Sequence, residues 1–237
     1  MCLDISFYSA LELIDDYFPD LVHVGELDFD LDMGVHVLAM DYKRYPVIVL
    51  ENGKYVRKLF EWSIIPEYMN TPEKIKMGRN KTANARSEKL LDQTSFWYSI
   101  RKQRCLIPVT GIYEHRGIKG WKQKVPYHVQ LKGRKMFCIP GLFHFNTKIP
   151  SDPETGEMVG MFSMLTRDGN PVMRMIHNGG ENPFRMPLFL PKELEFKWLD
   201  PNLTDKDLQN IIDYEMPSEE LSFYTVASIR SQAAFRI

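Results

Sequence analysis

The chain has 237 residues, of which 44% are hydrophobic, 26% charged and 12% aromatic, values that exclude disordered, collagen-like and disulfide-scaffold classes. The formal net charge of −1 argues at first against a polyanionic partner. It is, however, the sum of three unlike parts: −10 over residues 1–42, +14 over 43–135 and −5 over 136–237. A strongly basic middle is how a chain meets phosphates. The bland alternative is that the three segments interleave in space and cancel.

In chain order, Ser9-Ala10-Leu11-Glu12 reads as a capping box opening a short helix that Pro19 stops. Residues 35–40 and 46–50 are strand-like, and Asn52-Gly53 marks a two-residue hairpin into a strand at 55–62. Residues 71–103 form a long basic excursion with a helix near 95–101. Strands are predicted at 104–109, 111–115, 127–131, 135–139 and 159–165, with an exposed turn at 151–156. Helices follow at 191–199, with Pro at its first position, and at 205–214, capped by Thr204; a last strand covers 222–226. Many strands, few helices and no βαβ alternation predict an α+β fold of antiparallel sheets in one domain spanning residues 1–237.

No apolar run reaches the roughly 18–20 residues of a membrane span, and the first residues lack a secretory pattern. Cys2, Cys105 and Cys138 have no paired or zinc-like spacing, so reduced thiols, no metal, no cofactor and a cytoplasmic setting are expected.

Cys2 is the first candidate for chemistry. Removal of Met1 exposes an α-amine and a thiol on adjacent carbons, with reference pKa values of roughly 8 and 8.5. An aldehyde taken by the amine as a Schiff base can then be closed by sulfur into a thiazolidine. The same residue could instead be an ordinary acyl-transfer nucleophile, or merely frayed. Asn84-Ala85-Arg86-Ser87-Glu88 lies among Lys74, Lys76, Arg79, Lys81 and Lys89, a pattern suited to phosphates or to a solvated loop. Glu114 follows an apolar strand between large rings. Desolvation there would raise its pKa for general acid work, whereas an edge-strand position would leave it exposed. His177 precedes a Gly-rich loop in an apolar setting, where core histidines are common. Trp62, Trp97, Trp121, Tyr68 and Phe96 interleave with basic residues as on base-stacking surfaces.

Taken together, Met1-Cys2, Trp62-Ser63-Ile64-Ile65-Pro66, Asn84-Ala85-Arg86-x-Glu88, Gly111-x-Tyr113-Glu114 and Ile176-His177 ahead of Arg185-Met186-Pro187 resemble the SOS-response-associated peptidase family from residue 2 to about 190. The resemblance implies a barrel-like antiparallel core with peripheral helices, and a monomer that binds single-stranded DNA containing abasic sites. Cys2 would form the thiazolidine crosslink, Asn84 would orient it, and Glu114 and His177 would move protons. Arg86 and Arg185 would hold phosphates, and Trp62, Lys81 and Tyr68 would contact DNA. It further implies removal of Met1 by the same thiol.

Three features depart from the family pattern. Asp4 stands where a phosphate-facing Arg is usual, His115 replaces a Trp, and seven residues (178–184) separate His177 from Arg185 where one is usual. Two rivals remain from the residues alone: a cysteine peptidase with His177 as base and Glu114 polarising it, and a non-catalytic single-strand or modified-base binding module.

Overall fold

The computed structural model describes residues 2–8, 12–24, 36–148, 156 and 158–227. The capping box and the exposed turn expected at 151–156 fall largely outside them. Thirteen strands and six α-helices are described: β1 Asp4–Ser6, α1 Glu12–Tyr17, β2 Val22–His23, β3 Val37–Leu38, β4 Arg44–Glu51, β5 Lys54–Trp62, α2 Pro72–Gly78, β6 Asn84–Arg86, α3 Phe96–Ser99, β7 Arg104–Val109, β8 Gly111–Arg116, β9 Val125–Leu131, β10 Phe137–Phe145, β11 Gly160–Asp168, α4 Pro171–Ile176, β12 Arg185–Pro187, α5 Lys192–Trp198, α6 Asp205–Ile212 and β13 Leu221–Thr225.

The strands form two sheets. One has the order β13-β9-β8-β1-β3 and is antiparallel throughout. The other runs β12-β11-β10-β7-β4-β5-β2, and β5 returns to pair with β11, closing a ring of five strands. The α+β expectation therefore holds, with a correction to strand direction: β2–β5, β5–β11 and β6–β11 are parallel pairs. Closing the ring forces the β5–β11 pair, because five strands alternating in direction bring the first and the last together with the same sense.

Local chemistry accounts for most elements. The β4–β5 hairpin pairs Glu51 with Lys54 across Asn52 and Gly53, whose φ values of 51° and 76° are those of a primed turn. Thr204 and Asp207 form a reciprocal capping box on α6. Pro191 sits one place earlier than expected, as the N-cap of α5. The basic excursion is more structured than its composition suggested. Thr71 caps α2 by accepting from the Lys74 amide, and β6 adds to the edge of β11.

Strands of the ring are covered on both faces, which is why they read as continuous apolar runs. Val47 and Val49 point into a cluster with Trp62, Cys105, Ile107 and Phe162. Ile48 and Leu106 point outward to Phe18, Trp198, Leu208 and Ile212 beneath the helices. On that outer side Glu195 of α5 is fully buried, accepting from Arg134 at 2.7 Å and from the Tyr17 hydroxyl at 2.6 Å. These bonds tie α1 and α5 to the β9–β10 turn.

One continuous segment links the sheets: β7 lies in the ring, Thr110 turns the corner, and β8 enters the second sheet. The Ser6 Oγ contacts both Thr110 Oγ1 at 3.1 Å and His128 Nε2 at 2.8 Å, fastening β1 at this corner. Gly111 makes room for that imidazole, since a Cβ there would lie 2.4 Å from His128 Nε2 and 2.8 Å from the Val129 carbonyl. Gly111→Ala is therefore expected to cost about 1–3 kcal/mol of stability, measured by the midpoint of urea unfolding; an unchanged midpoint would refute the packing argument.

Candidate functional site

Cys2 is not frayed. It is 1% exposed, and its carbonyl accepts from Asn84 Nδ2 at 2.8 Å. The next carbonyl, of Leu3, accepts from the Ala39 amide at 2.8 Å. β1 then continues between β3 and β8, with Asp4 opposite both Leu38 and Tyr113. Asn84 reaches Cys2 because β6 lies parallel to β11, Asn84 facing Met164. Its Oδ1 is buried and, among the described residues, accepts no hydrogen bond.

Glu114 lies on β8, an interior strand flanked by β1 and β9, so the edge-strand alternative fails. Its carboxyl is buried beside the Cys2 thiol. Burial, with the Asp4 charge adding to it, pushes its pKa up from 4.5 to about 7. The thiol of Cys2 is also held well above its ordinary value, by burial first and then by Glu114 and Asp4.

His177 caps the C-terminal end of α4, and its Nδ1 donates to the Arg185 carbonyl at 2.9 Å. The Arg185 amide lies 3.3 Å from the same nitrogen, and the shorter contact sets the tautomer. Nε2 then carries no proton and lies 3.9 Å from Glu114 Oε2. Burial, with the nearby charges of Lys124 and Arg185 adding to it, lowers the His177 pKa to about 4. Near neutrality the site thus holds a neutral imidazole beside a carboxyl poised to gain or lose a proton.

An open cleft of about 710 Å³ borders this buried group at Glu114 and His177. Leu3, Asp4, Trp121, Lys124 and Gly179 also line it. Asp4 is buried with its Oδ1 3.0 Å from His36 Nε2, so it does not project as a bare acid. His115, in place of the usual ring, also lines the cleft. The long 178–184 segment is anchored at its start: Asn178 accepts from the Gly117 amide at 2.7 Å and donates to the Gly117 carbonyl at 2.9 Å. Further along, Asn182 accepts from Arg86 at 2.5 Å.

The structure thus brings Cys2, Asn84, Glu114 and His177 together, and treats the expected DNA contacts unequally. Arg86, Lys81 and Tyr68 are exposed, Tyr68 with its ring edge against Phe96. Trp62, expected on the DNA surface, is 1% exposed, stacks on Phe162 and donates to the Ala83 carbonyl at 2.9 Å. It supports β6 from inside. Arg185, expected on a phosphate, is buried; it grips Glu88 at 2.7 and 2.9 Å, Asp168 at 2.8 Å and the Thr166 carbonyl at 2.8 Å. Its charge is already spent on two carboxylates. The residue the sequence reading left out of the site is Lys124. Lys124 belongs to a run that composition alone assigns to a solvated face, and the cleft emerges only on folding. Among the described residues no group of three or more His, Cys, Asp or Glu side chains is arranged to hold a metal ion.

A family model described as SOS response associated peptidase (SRAP) matches residues 34–230. The abasic site processing protein YoqW of Bacillus subtilis is 31% identical over 169 residues, which is 71% of this chain and 68% of the relative. YoaM of the same organism, also named an abasic site processing protein, is 27% identical and covers 97% of this chain and 92% of its own length. The abasic site processing protein HMCES of Pongo abelii is 25% identical over 71% of this chain and 51% of its own. A crystal structure of a protein from Bacteroides thetaiotaomicron superposes with a TM-score of 0.76 at 27% identity, covering 96% of this chain and 93% of that one.

The raised Glu114 pKa has a consequence for stability. Below pH 4.5 folded and unfolded chains both carry the proton; between 4.5 and 7 only the folded one keeps it, so stability falls as pH rises through that window. The loss is complete above pH 7 and amounts to about 3 kcal/mol. Glu114→Gln escapes it, so the variant is expected to match wild type near pH 4 and exceed it near pH 8 in urea unfolding. A variant less stable at pH 8 would show that the carboxyl is not held in this way.

Proposed function

The chain belongs to the SOS response associated peptidase family, and from that premise we propose that it processes abasic sites in single-stranded DNA by capturing the ring-opened aldehyde on Cys2. The observation that carries this reading is a carboxyl with a pKa of about 7 buried against the thiol of residue 2, at the wall of an open cleft.

The chemistry follows from the arrangement. Once Met1 is removed, the neutral α-amine of Cys2 adds to the aldehyde carbon to give a carbinolamine. Glu114 in its acid form protonates the hydroxyl, water departs and an iminium ion remains. The resulting Glu114 carboxylate takes the proton from the thiol, and sulfur adds to the iminium carbon, closing a five-membered thiazolidine. Glu114 gives one proton and recovers one, and one water is released. His177, neutral and 3.9 Å from Glu114, assists by holding the acid form in place and steadying the opened sugar. Asn84 fixes the Cys2 carbonyl with its amide nitrogen and leaves Oδ1 to orient the amine. Arg86, Lys81 and Tyr68 are exposed and reach the DNA. Arg185 and Trp62 act from below, holding Glu88 and β6.

A thiol hydrolase of the cysteine-peptidase type is less well served. Such enzymes lower the pKa of their cysteine to hold a thiolate, whereas burial and two carboxylates raise it here. A buried, neutral thiol suits a second step in which an iminium ion is already in place.

A Met1-free preparation is expected to give a band shifted on a denaturing gel when incubated with an oligonucleotide bearing one abasic site. Cys2→Ala should abolish the shift, and Cys2→Ser should form only an adduct that needs borohydride trapping. Glu114→Gln should slow capture by about 10²–10⁴-fold and remove the loss of rate as the wild-type carboxyl ionises above about pH 7. No adduct from wild-type protein, or an undiminished one from Cys2→Ala, would overturn the reading.

A further inference from the structure

The tip of the β8–β9 hairpin carries side chains that neither the fold nor the aldehyde chemistry uses. Trp121 is 65% exposed and lines the cleft that Glu114 and His177 line. The other tryptophans are engaged: Trp62 stacks on Phe162, Trp97 packs against Phe96, and Trp198 donates to the carbonyls of Cys105 and Gly141. Among the described residues Trp121 makes no ring contact, and exposing so large an apolar face to water is unfavourable without a partner to cover it. Lys119, Lys122 and Lys124 surround it and are exposed. Lys124 also lines the cleft, near enough to His177 to lower its pKa.

The tip is also held in place. Gly117, at its base, is bonded through both its amide and its carbonyl to Asn178, the residue after His177. The 178–184 segment then runs to Arg86, which bonds Asn182. An exposed ring among lysines is thus carried beside Glu114 and His177 by a hairpin whose base is tied to the segment that reaches Arg86.

We propose that this tip is a nucleotide subsite for single-stranded DNA: Trp121 stacks on a base neighbouring the lesion, and Lys124 holds a backbone phosphate at the mouth of the cleft. Aromatic stacking accepts any base, and the lysines supply the salt-dependent grip on the backbone. The inference rests on the proposed DNA substrate but not on the covalent step. It also explains how an acidic residue at position 4 is tolerated, since Lys124 supplies a cation to the same cleft.

The test uses an undamaged twelve-residue thymidine oligonucleotide, which cannot crosslink. Binding is expected to quench the tryptophan fluorescence of wild-type protein, and Trp121→Phe should lose that quenching while still binding a labelled oligonucleotide by anisotropy. Trp121→Ala should weaken binding about tenfold. Lys124→Ala should reduce the slope of log affinity against log salt by about 0.7. With abasic DNA, Trp121→Ala should raise the half-saturating concentration for adduct formation by a similar factor and leave the limiting rate unchanged. Quenching retained in Trp121→Phe, or affinity unchanged in Trp121→Ala, overturns the subsite even when adduct forms normally. Quenching that depends on Trp121 in a protein that never forms adduct sustains the subsite and overturns aldehyde capture instead.

Discussion

The hydrogen bond from Asn84 to the carbonyl of Cys2 joins the two sheets at the point where the proposed aldehyde capture takes place. Asn84 belongs to the strand that extends the ring at β11, and Cys2 leads into the strand that pairs with β8. A chain end ordinarily frays because few contacts offset its conformational entropy. Here a side-chain amide and the strand pairing of Asp4–Ser6 hold it. Much of the surrounding structure serves that placement. Trp62 holds the Ala83 carbonyl next to Asn84, Gly111 admits the imidazole that fastens Ser6, and Glu88 and Arg185 bind one another across two separate motifs.

The site's electrostatics follow from burying several ionisable groups together. Desolvation moves Glu114 up and His177 down, so both are neutral just below pH 7 and the exchangeable proton stays on Glu114, its transfer to His177 costing about 4 kcal/mol. The two shifts act oppositely on folding. As pH rises through the window between the folded and unfolded pKa values, the carboxyl loses stability and the imidazole gains it. His128, lowered by burial to about 4, adds to the second effect, and Glu195, raised by burial to about 7, adds to the first. The buried groups therefore offset one another in part, and a reactive carboxyl is retained without a large net dependence on pH.

Charge along the chain acquires a spatial meaning. The basic segment does not simply cancel against the acidic ends: Lys124 is exposed in the lining of the cleft with Lys119 and Lys122 exposed close by in sequence, and Arg86 and Lys81 are exposed on and beside β6. Part of the basic charge is internal, however. Arg104 is buried and donates to the carbonyls of Trp198 and Asp200 at the end of α5, and burial lowers its pKa. The acidic first segment reaches the site through Asp4, which is paired with His36 and buried.

By itself the sequence determined what local rules govern. The primed turn at Asn52-Gly53, the cap at Thr204 and the strand at 104–109 depend on near neighbours and on an unbroken apolar run, and they appear as expected. The four residues of the proposed cluster, which the fold brings together, were named from the sequence as well, through the order of motifs of which no single one is specific. Tertiary structure decided the rest. Parallel closure of β5 on β11 leaves no local trace, since it joins residues about a hundred positions apart. Whether a tryptophan or an arginine faces solvent depends on what folds over it. Trp62 and Arg185 were drawn inside by Phe162, Glu88 and Asp168, while Trp121, with the same local pattern of rings and bases, was left at the mouth of the cleft. Burial is a property of the assembled layers, and it turned a carboxyl, an imidazole and a thiol of ordinary pKa into one proton-handling site.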